Sequence, residues 1–434
     1  MKTKILRGQA LSFKADPFVV GDQASIHYES DAVIVIVDGK IKSFGSYENL
    51  KDSLPKDVEV KVYKDSLIIP GFIDTHIHYP QTQIIGAYGK QLIDWLNNYT
   101  FIAEQQFADF NHAKNVAKVF IQESLRAGTT TSAVYCTVHP HSVDALFEEA
   151  EKINLRMIAG KVLMDRNAPP ALTDTAQSSY DDSKALIKKW HNRGRLSYAI
   201  TPRFAPTSTH AQLQLAGELW REHPGVYMQT HISENLGEIE WVKELFPERA
   251  GYLDVYDHYG LVGERAIFGH GIHLTESEWR RCHEAGAAIS HCPTSNEFLG
   301  SGLFPFEKAF DKSRPVRVGL ATDIGAGTSF SQLQTMNESY KIAQLGGFSL
   351  SSACAFYLAT RGAARALYLD DKIGSIEKGM EADLVVLNLK ATPLIDFRMG
   401  FCKDILEVLF ILMTLGDDRA TKAVYVAGEQ VYGE

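Results

Sequence analysis

The chain has 434 residues and a net charge of −9, with 45% hydrophobic and 22% charged residues. That is enough length for one large domain and a smaller one, and the acidic balance argues against general affinity for nucleic acid or an anionic membrane. Its five cysteines (Cys136, Cys282, Cys292, Cys354, Cys402) are odd in number, scattered and never in a CxxC pair, which argues against a thiolate zinc knuckle and favours a reducing compartment.

The first stretch, MKTKILRGQALSF, has no long apolar core followed by a small-residue cleavage site, so a cytoplasmic location is expected. Residues 1–66 read as short strands joined by turns. An apolar run over 32–37 meets the hairpin signal Asp38-Gly39, residues 41–44 return, and 58–63 alternate again. Residues 382–389 (ADLVVLNL) and 423–432 (AVYVAGEQVY) carry the same signature, so the two ends are expected to join as one small β-sandwich domain. The window 405–415 is too short and too interrupted by Glu407 to span a bilayer, and reads as a buried helical insertion. The expected division is 1–66 and 376–434 for the β domain and 67–375 for the domain between them.

That middle part alternates apolar strands with helical patterns. The strands are expected within 67–78, 129–135, 156–164, 196–204, 226–233, 266–273, 287–295 and 316–325, with helices such as 112–127, 143–154 and 212–223 between them. Eight strands with helical crossovers over this length predict an α/β fold, a (β/α)8 TIM-like barrel. The alternative, a doubly wound open sheet, loses support because no GxGxxG or GxxxxGK[ST] follows any strand.

In such a barrel the chemistry sits at the C-terminal ends of the strands, and that is where the polar residues fall. In LIIPGFIDTHIHYPQTQ, His76 and His78 stand at i and i+2 and project to one side of a strand. Arg203 ends the fourth strand; His231 ends the fifth, with Glu234 three residues on. His270, His291 and Asp323 end the last three. A lone histidine at a strand end is ordinarily a hydrogen-bonded structural residue, but the His76/His78 spacing favours ligation, and His231 and Asp323 gain weight by joining the set. Imidazoles with a carboxylate suit zinc or ferrous iron. From the residues alone His270 is open as ligand, base or orienting group, and His291 is open between function and structure.

IPGFIDTHIH and GMEADLVVL resemble segments of the amidohydrolase superfamily of metal-dependent barrels. IDTHIHYPQ, LIDWLNNYTF with Glu104 just after it, TPRFAPTS, THISEN, HCPTSNEFLGSGLF, TDIGAGTS and MTLGDDR resemble its guanine-deaminating members over essentially the whole chain. The resemblance implies one Zn2+ per chain (Fe2+ being the alternative) held by His76, His78, His231 and Asp323, with a water completing the shell. It implies that Gln81, Arg203 and Phe204, with His270, hold guanine. It assigns Glu234 as proton shuttle and Asp323 with His270 as the groups that activate the water, giving xanthine and ammonia in purine catabolism or salvage. A homodimer is implied as well.

Several competing expectations are weaker. A binuclear site bridged by a carboxylated Lys161 leaves unused the acid that the His231-x-x-Glu234 pair supplies. Another amino-heterocycle deaminase, or a triazine dechlorinase, is less suited to Arg203 and Gln81. A non-catalytic barrel would lack one of the ligands or the acid, and the paired HxE and PCxxC motifs of the small zinc deaminases do not occur together, since no PCxxC is present.

Overall fold

The computed structural model describes residues 2–88 and 92–433. Strands β1 (Thr3–Phe13), β2 (Ile26–Val37), β3 (Lys40–Ser46) and β4 (Val60–Pro70) open the chain. The next group is β5 (Phe72–His78), β6 (Thr129–Tyr135), β7 (Arg156–Gly160), the two-residue β8 (Val162–Leu163), β9 (Leu196–Pro202), β10 (Tyr227–Ile232), β11 (Ala266–His270), β12 (Ala288–His291) and β13 (Arg317–Leu320). After them β14 (Leu384–Asn388), β15 (Thr421–Val426) and β16 (Glu429–Gly433) close it.

The two ends meet in one mixed seven-stranded sheet, ordered β16-β15-β14-β4-β1-β2-β3. The joint is antiparallel β4–β14, where Ile68 faces Val386 and Pro70 faces Leu384. The apolar run 67–70 therefore belongs to this small sheet, and the barrel strand begins at Phe72. One face of the sheet buries Leu6, Ile34, Ile68, Leu384 and Val386 in a core of its own. The expected helix over 405–415 forms between β14 and β15 as Ile405–Leu415, with Leu409, Leu412 and Met413 buried.

Eight parallel strands, β5, β6, β7 and β9–β13, form the near-closed barrel, with β8 pairing on β9. The long helices Phe110–Arg126, Pro140–Lys152 and His210–Glu222 stand where helical periodicity was read. At the floor, Ile73, Ala133, Ile158, Ala199, Tyr227 and Ile267 pack with Leu367 and Ile373, so the interior is filled and leaves the functional groups to the upper rim. First and last strands are stitched by backbone bonds from Asp323 N to His76 O (3.0 Å) and from His78 N to Ile324 O (2.9 Å). Among the described residues no helix is long and apolar enough to cross a membrane.

Candidate metal and substrate site

That stitched seam puts three of the sequence-identified residues side by side. The Nε2 atoms of His76 and His78 lie 3.3 Å apart, as the i, i+2 spacing on one strand requires. His231 brings its Nε2 to 3.1 Å from that of His78. Asp323 Oδ1 is 3.3 Å from His76 Nε2 and 3.4 Å from His78 Nε2. Ligand atoms about 2.1 Å from a tetrahedral centre lie about 3.4 Å from one another, so these spacings fit a single ion between them. Gly269 on β11 leaves the room this packing needs, because a Cβ there would come within 2.6 Å of His76 Cε1.

The protonation states suit ligation. The His231 Nδ1 meets the Arg203 carbonyl at 2.6 Å; a carbonyl only accepts, so Nδ1 carries the hydrogen and Nε2 presents its lone pair to the centre. Burial first, and then the neighbouring imidazoles, hold His78 and His231 well below the usual histidine range. Burial also lowers His76, with Asp323 opposing it. For Asp323 burial pushes the carboxyl up, but His76, His270 and His231 together outweigh it and bring it to about 2. Neutral imidazoles around an ionised carboxylate are the donor set a borderline divalent metal takes. Cys292 also comes within ligand range of His76, His270 and Asp323. Burial keeps its thiol protonated, and Sγ donates to the Ser290 carbonyl.

His270 stands beside this set. Its Nδ1 pairs with Asn296 Oδ1 at 2.9 Å, which leaves Nε2 facing Glu234 Oε2 at 3.3 Å and Asp323 Oδ2 at 3.6 Å. Burial, then the charges of Glu238 and Asp323, lift the Glu234 carboxyl well above its usual range, so it holds a proton. The turn that carries Glu234 is pinned by Glu238, which accepts from the Glu234 and Asn235 backbone N–H groups and from the Tyr252 hydroxyl. Ser233, His270 and Asp323 have left-handed backbones, with φ of 47°, 72° and 51°. Such residues cluster where a strand end must redirect a side chain.

A narrow cavity of about 30 Å³ joins these groups to Gln81, Arg203 and Phe204, under a cover from Leu92, Trp95 and Leu96. A wider cleft of about 590 Å³ includes Arg317 at the start of β13, but it contains no converging histidine and carboxylate set. Glu104 is part of the family resemblance, next to LIDWLNNYTF, but the sequence assigns it no role. This fully buried carboxylate accepts from Arg203 Nη1 through both oxygens, at 2.9 and 2.7 Å. Asn296 and Glu238 also went unread; the N-x-x-E pattern of Asn235 and Glu238, a helix-start signature, could have marked the latter. His291, left open by the sequence, packs on Phe304 and Phe306 and bonds Ser339, and Lys161, weighed as a metal bridge, is buried against Asp174.

A barrel whose rim gathers histidines and a carboxylate that could hold a metal ion has the architecture of metal-dependent hydrolases. Residues 67–431 match the amidohydrolase family, and the chain belongs to it. It is 52% identical to the guanine deaminase of Escherichia coli (strain K12), across 94% of this chain and 93% of that one. The solved E. coli guanine deaminase superposes with a TM-score of 0.97 at 50% identity, covering 99% of this chain and 100% of that one. A guanine deaminase from C. acetobutylicum, solved with guanine in its active site, superposes with a TM-score of 0.89 at 32% identity, covering 99% and 100%.

Proposed function

We propose that this enzyme deaminates guanine hydrolytically, guanine plus water giving xanthine plus ammonia, with one zinc ion held by His76, His78, His231 and Asp323. The observation that carries the reading is the joining, in one pocket, of His78, His231 and Asp323 from that ligand set to a buried acid, Glu234, and a buried guanidinium, Arg203. A zinc or ferrous ion bound there would lower the pKa of a water to about 7.

The remaining work belongs to side chains. Asp323 is ionised and takes the proton of the attacking water, and His270 beside it orients that exchange. Glu234 gives its proton to ring N3 as C2 is attacked, recovers a proton from the new C2 hydroxyl as the carbonyl forms and passes it to the leaving amine, and is reset by the proton that Asp323 took from the water. Arg203, a permanent cation, reads the exocyclic oxygen O6. Gln81 donates along the base edge, and Phe204 forms an apolar wall of the pocket.

Ultraviolet spectroscopy of metal-assayed protein with guanine, with ammonia followed in parallel, tests the whole reading. Xanthine, ammonia and one metal per chain are expected. Metal without turnover of guanine would move the substrate to another aminated heterocycle. The reading includes a homodimer, for which Leu394, Phe397 and Phe401 supply exposed apolar surface. It also includes a reducing cytoplasmic setting, consistent with five unpaired cysteines.

A further inference from the structure

Glu104 is a buried carboxylate behind this pocket to which the mechanism gives no part. It sits at the end of the covering segment, on the short helix Phe101–Gln105, and two base-reading residues converge on it. Arg203 spends Nη1 on both of its oxygens, and Gln81 Nε2 donates to its Oε1 at 3.3 Å. The other end of the Gln81 amide is also committed, because Oε1 accepts from the Gly325 backbone N–H at 3.0 Å. Together these bonds fix which end of the amide carries hydrogen. Arg203 and Gln81 both line the pocket. What remains free on them is of one kind: Arg203 Nη2 and Nε donate to no described residue, and Gln81 keeps one N–H.

We infer that Glu104 is a positioning residue that holds Arg203 and Gln81 so that the pocket presents only donors to the far edge of the base, selecting a 6-oxo purine over a 6-amino purine. The inference rests on the guanine reading and deepens it. A carbonyl oxygen accepts what these groups offer, whereas an exocyclic amine brings hydrogens against hydrogens and leaves buried donors unpaired. Without the carboxylate, Arg203 loses its fixed partner and the Gln81 amide loses one of the two bonds that orient it. The edge then stops discriminating.

The test is steady-state kinetics on the metal-loaded enzyme and its Glu104→Gln variant, with guanine as substrate and hypoxanthine and adenine as competing inhibitors. Glu104→Gln is expected to raise KM for guanine by about 10- to 100-fold, the worth of a hydrogen bond to a charged group. The expected change in kcat is less than about 3-fold by the same reckoning, and the hypoxanthine preference over adenine should shrink with the rise in KM. Glu104→Asp, which keeps the charge but draws it back by one methylene, should move KM the same way and serves if the Gln variant does not fold. A fall in kcat at unchanged KM, or an unchanged ratio of the two inhibition constants, would overturn the inference while leaving the guanine reading intact. Wild-type protein that fails to deaminate guanine would instead remove the reading itself, and this inference with it.

Discussion

Glu234→Gln isolates proton transfer from everything else the pocket does. The glutamine has the same length and shape, and the pinning of this turn by Glu238 acts through backbone N–H groups that the change does not touch. Metal content should therefore stay at the wild-type value, and KM for guanine should stay close to it. The variant loses the one proton-bearing carboxyl beside His270, since burial keeps Glu234 protonated. General acid catalysis contributes about 10²- to 10⁴-fold, so kcat should fall by about 10³, equivalent to about 4 kcal/mol of barrier. Because a raised carboxyl favours the folded state at low pH and opposes it as the pH rises, the variant should also melt at a higher temperature than wild type in alkaline buffer. Three measurements suffice: xanthine formation by absorbance, metal by elemental analysis and Tm against pH. Near-normal kcat with full metal would refute the assignment and take Glu234 out of the proton path.

Other expectations follow from named contacts. Arg203→Ala should reduce kcat/KM for guanine by roughly 100-fold or more, as loss of a charged hydrogen bond at a buried polar site does, and reduce it much less for 2-aminopurine; equal losses would make Arg203 a structural residue. Removing metal with a chelator should abolish turnover, with recovery on adding one equivalent of zinc, and should lower Tm because an ion that binds only the folded chain stabilises it by mass action. Asp74 accepts from the Thr322 and His76 backbone N–H groups and from the Thr322 hydroxyl; Asp74→Ala should cost about 3 kcal/mol in urea unfolding, since it leaves buried donors unpaired. Burial outweighs those bonds and lifts the Asp74 carboxyl to about 7. Its stabilising contribution is therefore complete below about pH 4 and lost as the pH rises through 7, and Asp74→Asn should remove that dependence.

What the sequence discloses is local and periodic. The His76/His78 pair shows itself because strand geometry fixes where i and i+2 point, and His231, His270 and Asp323 show themselves because barrel topology fixes where strand ends gather. The buried helix Ile405–Leu415 is visible from composition alone. Glu104 has no such signature: it is 99 residues from Arg203 and 23 from Gln81 in the chain, and nothing periodic near a short helix says that its carboxylate turns inward to them. Asn296 is hidden for the same reason, 26 residues from His270. The run 67–70 misleads because an apolar strand end reads alike in either sheet; only its pairing with β14 assigns it to the small one. Cys292 is legible as a cysteine, but its place beside Asp323 depends on β12 and β13 pairing side by side.

The position of the site on the seam has an energetic consequence. Of the four residues assigned to the metal, two lie on the first barrel strand and one just beyond the last. The backbone bonds that join those strands run between the same residues or their neighbours, Asp323 N to His76 O and His78 N to Ile324 O. Asp74 adds side-chain bonds across the same line to Thr322. Along the seam, successive pairs of buried imidazole Nε2 atoms and the Asp323 carboxylate come to within 3.4 Å, and the Nδ1 atoms of His76 and His78 find no partner. A cation held there would neutralise that crowding at the point where the barrel must close, so metal affinity and barrel closure would draw on the same free energy. Asp74→Ala should then weaken zinc binding as well as lower Tm, although Asp74 is not one of the four ligands. A variant that loses stability but keeps wild-type zinc affinity would separate the two and show that the seam holds without the ion.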